Sequence, residues 1–335
     1  MRFITSLLTC LLLSGCSESP TDTYATYQSR LNNVHKFELV ALQPLEPLQA
    51  KSLWQSNQTA TFGLLDLGKI NHCKLSQFIA HHNSQLGKVA PQSEQIKYQI
   101  NFIHHAPECI KELDNNRIKT ELIAIEQQKK ADLYGQFKHM LLVEPETRAL
   151  FQLGKTLHLN EAVGLNDTLE ALTVLANIDQ QIKEQMFSDI TPDSITEALG
   201  KLNRTSFTSQ LITSMQQQIH LNQQLTASLS KIDLQTLCPI GKNNQQATIF
   251  ANVFSQFYLK QLQGYQAQLT KQFRQLEPYL TTLWHNEHKQ LISPALVKLI
   301  GSQTEPNLEQ QLSSSAKQHV QWWQTFFKQC NISPK

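Results

Sequence analysis

The chain has 335 residues, 40% of them hydrophobic and 17% charged, with only 11 Gly, a balance that excludes wholesale disorder and collagen-like repeats. Lys and Arg total 29 against 27 Asp and Glu, so the formal charge of +2 is too near neutral to drive counterion-release binding to nucleic acid or a strong pull toward anionic lipid heads. The 41 Gln are polar, uncharged helix formers suited to exposed helix faces, and composition names neither a partner nor a specific activity.

Met1 and Arg2 form a short basic start, residues 3–13 are an apolar run, and Leu13-Ser14-Gly15-Cys16 follows at once. The run is about half of the ~20 residues that span a bilayer. It reads as the apolar region of a secretory signal, and the small residues before Cys16 let a peptidase approach the backbone. The spacing predicts a bacterial lipoprotein: residues 1–15 are removed, Cys16 is acylated (palmitate-like chains) on its thiol and amine, residues 16–22 form a tether, and residues 23–335 form a helical domain. Each buried CH2 adds about 0.8 kcal/mol, so three chains hold a protein on the lipid bilayer essentially permanently. Ser17, rather than Asp, follows the lipidated position, which points to the periplasmic face of the outer membrane.

Beyond the tether, residues 71–84 and 93–105 read as two helices joined by a loop holding Gly87 and Pro91. Ile118, Leu122, Ile125, Leu133, Phe137 and Met140 mark a further helix, and Leu169, Leu172, Leu175, Ile178, Ile182 and Met186 another. Leu211, Ile212, Met215, Ile219, Leu225, Leu229 and Ile232, with one polar gap at Asn222, predict a helix over 206–237. An aromatic-rich stripe predicts one long helix over 250–283, kinked at Pro278. Leu308, Leu312, Val320, Trp323 and Phe327 mark the last helix, with Thr304 as its N-cap. Breaks are expected at 37–61, 143–166 and 192–204, and strand signals are nearly absent. The expected fold is all-α: an elongated multi-helix bundle with long amphipathic helices, as one unit or as two sub-bundles meeting near residue 200.

Apart from Cys10 in the signal and Cys16 in the anchor, the chain has Cys73, Cys109, Cys238 and Cys330, an even number that suits an oxidising compartment. Antiparallel packing of the helices around Pro91 brings Cys73 to Cys109. Cys238 then pairs with Cys330 at the end of the last helix, giving two disulfides. No C-x-x-C pair is present, which argues against a metal site on these thiols.

Candidate chemistry is sparse. Gly154-Lys155-Thr156 resembles the end of a P-loop, but Ala149 stands where the first glycine is required, so no nucleotide is expected. His285 and His288 lie one helical turn apart without a third ligand, and at most one of His81-His82 could meet one of His104-His105, so no metal or other cofactor is assigned. Trp322, Trp323, Phe326 and Phe327 read as core packing around Cys330. Glu144-Pro145-Glu146 reads as a helix N-terminus rather than a catalytic pair, and no catalytic residue is assigned.

The block from Cys73 to Phe102 contains Gln77-Phe78-Ile79-Ala80, Asn83-Ser84, Leu86-Gly87-Lys88, Ser93 and Tyr98. With the lipobox and the long helical C-terminal half, it resembles a gammaproteobacterial lipoprotein family defined as a domain of unknown function, of the DUF3080 type. The chain departs from that pattern at His82 and Gln99, where Arg and Glu are expected. The resemblance implies no catalytic residues. Read physically, Gly87 supplies a positive φ for a turn between helices, Lys88 lies near a helix C-terminus, and Asn83 and Ser84 cap that end. Together, Asn83, Ser84, Gly87 and Lys88 are the candidate ligand or partner contact at the hairpin tip. The functional expectation is a non-enzymatic lipoprotein acting by contact with another, unidentified envelope protein; the alternative is a binding protein or hydrolase for peptidoglycan or lipid.

Overall fold

The computed structural model describes residues 19–41, 45, 62, 64–239, 245–285 and 294–333. The signal, Cys16, Glu287 and His288 lie outside these residues, as does most of the expected break at 37–61. The helices are α1 (Pro20–Val34), α2 (Leu64–Leu67), α3 (Leu75–Asn83), α4 (Gln85–Lys88), α5 (Gln92–Glu112), α6 (Asn116–Val143) and α7 (Pro145–Ala149). They continue with α8 (Leu165–Lys183), α9 (Pro192–Asn203), α10 (Phe207–Leu229), α11 (Leu234–Leu237), α12 (Gln245–Val253), α13 (Gln263–Trp284), α14 (Pro294–Ile300) and α15 (Leu308–Gln329). There is no strand among the described residues, and the fold is all-α.

Local chemistry sets the boundaries. The Ser19 hydroxyl accepts the Asp22 N–H at 3.1 Å while the Asp22 carboxylate accepts the Ser19 N–H, a capping box that opens α1. α15 opens in the same way on Asn307, whose side chain accepts the Gln310 N–H at 2.9 Å and whose own N–H is taken by the Gln310 side chain; Thr304 is therefore not the cap. The expected break at 192–204 is instead α9, with Pro192 in the first turn where its missing donor costs nothing. The helix expected over 206–237 stops at Leu229 and resumes briefly as α11. Between α12 and α13 the chain winds as a π-helix over Phe254–Leu262, and Pro278 lies inside α13 without ending it. Gly164 precedes α8 at φ +88°, and a Cβ there would lie 1.9 Å from Thr205 Oγ1.

Three apolar cores are strung along shared helices. The first gathers Ile79, Phe102, Ala106, Ile118, Leu122 and Ile125 around Cys73 and Cys109. The largest takes the other halves of α5 and α6, most of α8, α9 and α13, and the start of α10 and α15. The third packs Tyr24, Tyr27 and Leu31 against Leu225, Phe250, Phe254, Tyr258, Trp323 and Phe326, beside Cys238 and Cys330. The expected core role of the C-terminal aromatics is thus realised, with Trp323 and Phe326 fully buried.

Cys73–Cys109 and Cys238–Cys330 are the disulfides, each with Cα atoms 5.4 Å apart and with sequence separations of 36 and 92. In the chain-entropy account such loops are worth about 4 and about 4.5 kcal/mol.

Two buried polar clusters hold helices together. Lys138 on α6, 6% exposed, places its ammonium 2.6 Å from the fully buried Asp179 of α8 and also donates to the carbonyls of Thr282 and Leu283 at the end of α13. Lys183 reaches the same carboxylate at 2.7 Å. In the third core, His319 is fully buried. The Trp323 indole N–H can only donate, and it lies 3.0 Å from the Tyr27 hydroxyl and 3.2 Å from His319 Nε2. Tyr27 in turn donates to Nε2, so Nδ1 carries the proton and donates to Thr226 Oγ1, whose hydroxyl donates to the Asn222 carbonyl. Asn222, the polar gap in the α10 stripe, accepts from Tyr24 and Gln266 and donates to Ser315.

Removing one member of a buried ion pair strands the other, at a cost of about 3–5 kcal/mol. Asp179→Ala is therefore expected to lower stability by about that amount in denaturant unfolding, whereas Lys138→Met combined with Asp179→Leu costs less than Asp179→Ala alone. Equal losses would show that the pair is not coupled.

Burial holds His319 down at about 3. Between about pH 6.5 and 3 the unfolded chain binds a proton that the folded chain refuses, so this group makes stability fall as pH drops below about 6.5, by up to about 1.4 kcal/mol per pH unit. His319→Gln is expected to flatten the plot of stability against pH between 6 and 4, and a slope equal to that of the parent would contradict the assignment.

Candidate functional site

The block from Cys73 to Phe102 folds as α3, α4 and the first half of α5. Residue numbers that rise along α3 meet numbers that fall along α5: Cys73 bonds Cys109, Phe78 stacks on His105 with centroids 5.2 Å apart, and His82 stacks on Tyr98 at 3.8 Å with rings 5° from parallel. This is the register of an antiparallel pair, with the disulfide at the end away from the turn. His104 instead bonds the Phe187 carbonyl at 2.7 Å, so the two histidine pairs do not face each other.

At the turn, Ser84 closes α3 and opens α4. Its hydroxyl donates to the His81 carbonyl at 2.7 Å and accepts the Gly87 N–H at 3.1 Å. Gly87 does not have the expected positive φ, since only Gly164 and Gly301 do among the described glycines. It is required for a different reason: a Cβ at 87 would lie 2.4 Å from the backbone oxygens of both His81 and His82. Asn83 is the half-buried last residue of α3 and Lys88 is exposed at the end of α4. Of the four tip candidates, only Gly87 lines the cavity described next.

That cavity is an open cleft of about 510 Å³. α3 contributes Gln77, Phe78, His81 and His82; the turn contributes Gly87 and Ala90; α5 contributes Glu94, Gln95, Lys97, Tyr98 and Asn101; and the first turn of α9 closes it with Pro192 and Asp193. The Glu144 carboxylate, from the segment between α6 and α7, accepts the Ser93 N–H and so caps the start of α5. Glu144 also stands at the N-cap of α7, with Pro145 in the first turn, so Glu144-Pro145-Glu146 is a helix start, as expected. Lys97 sits between two acids, 3.0 Å from Glu94 and 3.1 Å from Asp193, and completes its three donors with Thr196 Oγ1 at 3.1 Å. Burial lowers the Lys97 pKa, but the two carboxylates outweigh it and the net shift is upward.

Beneath the cleft lies Lys129 of α6, 5% exposed. Its ammonium donates to Gln99 Oε1 at 2.7 Å and stands 4.8 Å and 4.9 Å from the ring centroids of Tyr98 and Phe102. No carboxylate ion pair with Lys129 is present among the described residues, and burial pushes its pKa down to about 8 against the opposing charge of Asp132. Burial, then the Lys129 and His81 charges, lower the His82 pKa, and burial raises that of Tyr98. His82 and Gln99, where the chain departs from the resembled pattern, are thus the two residues that meet Tyr98 and Lys129.

Sequence reasoning missed Lys129, Lys97, Glu94 and Asp193. Lys129 had a signal, since it fills the position between Ile125 and Leu133 in the α6 apolar stripe. His72, Cys73 and Glu112 bring ligand atoms within 4.8 Å of one another, but the Cys73 sulfur is committed to its disulfide, so a thiolate site cannot form there. His285 is exposed and its expected companion His288 lies outside the described residues.

Because the clash at Gly87 is with backbone, Gly87→Ala must displace the tip, an overpacking cost of about 1–3 kcal/mol. The expected result is a lower urea midpoint for Gly87→Ala and an unchanged one for Lys88→Ala. Equal midpoints for Gly87→Ala and the parent would remove the close-approach role.

Compared with known proteins, residues 24–334 match a family model described as "Protein of unknown function (DUF3080)". No curated protein and no solved structure matches the chain.

Proposed function

We propose that this chain, which belongs to the DUF3080 family, is a lipid-anchored lipoprotein on the periplasmic face of the outer membrane, and that it acts by binding another envelope component in the hairpin cleft, without turnover. The anchoring half rests on the Leu13-Ser14-Gly15-Cys16 sequence and on Ser17. No helix among the described residues is long and apolar enough to cross a membrane, so in this reading the acyl chains on Cys16 carry the attachment.

The binding half rests on one observation: the Lys97 ammonium fills the space between the two cleft carboxylates. A hydrolase that uses paired acids needs that gap for the scissile bond, one carboxyl giving a proton while the other attacks or activates water. Here all three Lys97 donors are engaged, and the cleft offers a fixed polar surface instead. The cleft is also what a binding protein requires and a solid bundle would lack. It favours a small, polar element of the partner, whether that partner is a protein or another envelope polymer.

Cys16→Ala is expected to move the protein out of the sedimenting membrane fraction, and unchanged sedimentation would end the anchoring reading. In the same cells, a photo-reactive residue in place of Gln77 is expected to capture an envelope component that one in place of Gln261 does not. Capture from both positions alike, or from neither, would count against the cleft.

A further inference from the structure

The cleft has an unusual balance of charge and of hydrogen-bonding capacity. Gln95 spends one of its two amide N–H groups on the Ala90 carbonyl at 3.1 Å, and Asn101 spends one of its two on the Lys97 carbonyl at 3.0 Å. Each keeps its amide oxygen, with two lone pairs, and one N–H. Glu94 and Asp193 add carboxylate oxygens that the single Lys97 ammonium only partly occupies, and Asp193 is 81% exposed. Lys97 has no donor left, since an ammonium has three and three are in use. With the four carboxylate oxygens, acceptor sites on this wall outnumber the remaining N–H groups, and an occupant has to bring most of the protons.

Charge narrows the choice. An ammonium ligand is rich in donors, but it would face Lys97 at the rim and Lys129 behind the Tyr98 ring, 4.8 Å from its centroid. A carboxylate or phosphate ligand would meet Glu94 and Asp193 and would bring acceptors to a wall of acceptors. An uncharged occupant avoids both conflicts. Peptide segments bring one carbonyl for every N–H, whereas a sugar hydroxyl can donate to Gln95 or Asp193 and also accept from Gln77. Both faces of Tyr98 are taken, by His82 and Lys129, and one face of Phe78 by His105, so the rest of the Phe78 ring supplies the apolar contact that the C–H face of a pyranose needs; about 510 Å³ falls within the range of small-ligand sites.

We propose that the cleft between α3, α5 and the start of α9 binds a short, uncharged glycan segment, with Gln95, Asn101, Glu94 and Asp193 accepting its hydroxyl protons and Phe78 meeting the apolar face of one of its rings. This deepens the non-catalytic reading above and rests on the same site.

The test is calorimetric titration of the full chain in detergent with chitotriose, cellotriose and maltotriose, followed by chromatography of the recovered sugar. Saturable binding of at least one trisaccharide is expected, weakened tenfold or more in Asp193→Ala and in Gln77→Ala, both exposed positions whose variants should keep the parent's unfolding midpoint. Gln261→Ala should bind as the parent does. No binding of any of the three, binding unaffected by both cleft variants, or preferential binding of spermidine, citrate or a neutral tripeptide at the cleft would overturn the glycan assignment. Cleft-dependent binding accompanied by shortened sugars would uphold the glycan assignment and overturn the reading without turnover, so the two can fail separately.

Discussion

An ammonium taken out of water has to be met on every side, and Lys138 is met by three helices at once: its own α6, α8 through Asp179, and α13 through two terminal carbonyls. Such a node adds little net stability over a well-packed apolar alternative, but it penalises any arrangement in which one partner is absent. It therefore fixes which face of α8 meets α6. α9 packs on α8 and against α5, so the position of α8 determines where Pro192 and Asp193 arrive on the cleft. The functional surface at the hairpin is in this sense set by a contact in the middle of a different core.

The cleft itself combines a rigid side and a fitted side. The disulfide and the two stacked ring pairs set the register of α3 on α5, and Ser84 with Gly87 turns the chain tightly enough for the histidine carbonyls to touch the tip. The opposite wall is a single helix start, joined to α5 through the salt bridge of Lys97 with Asp193 and the hydrogen bond of Lys97 to Thr196. Beneath both lies Lys129, costly to bury and held by an amide and two ring faces rather than by an acid.

Much of the architecture was legible in the amino acids because it follows from period and parity. The apolar stripes marked the long helices, and four cysteines with one plausible hairpin gave both disulfides. What escaped were residues whose meaning depends on a distant helix. Lys129, Lys138, Asp179 and His319 all occupy or adjoin apolar stripe positions, and a stripe shows that such a group is buried without showing what receives it. Thr304 and Asn307 are both cap residues, but only Asn307 has Gln three positions on to complete a capping box, a test the spacing allowed. Gly87 was marked as special for the wrong reason, since closeness to backbone leaves no trace in sequence that distinguishes it from a left-handed turn. The π-helical stretch keeps Phe254, Tyr258 and Leu262 at intervals that read as ordinary α-helix.

α1 has no cysteine, and side-chain hydrogen bonds tie it to α10. Thr21 bonds Gln217, Tyr24 bonds Asn222 and Gln28 bonds Gln224, three rungs whose numbers rise together along α1 and α10. Considered as a mechanical joint, this is a lap seam rather than a zipper: tension applied along the axis at Ser19 loads the rungs in shear and all at once, and the buried Tyr24 and Tyr27 act as pegs against sliding. Force pulling sideways would instead open the rungs one by one. The molecule thus has a strong and a weak direction of pull at its N-terminal helix, while the disulfide-stapled hairpin lies off that load path.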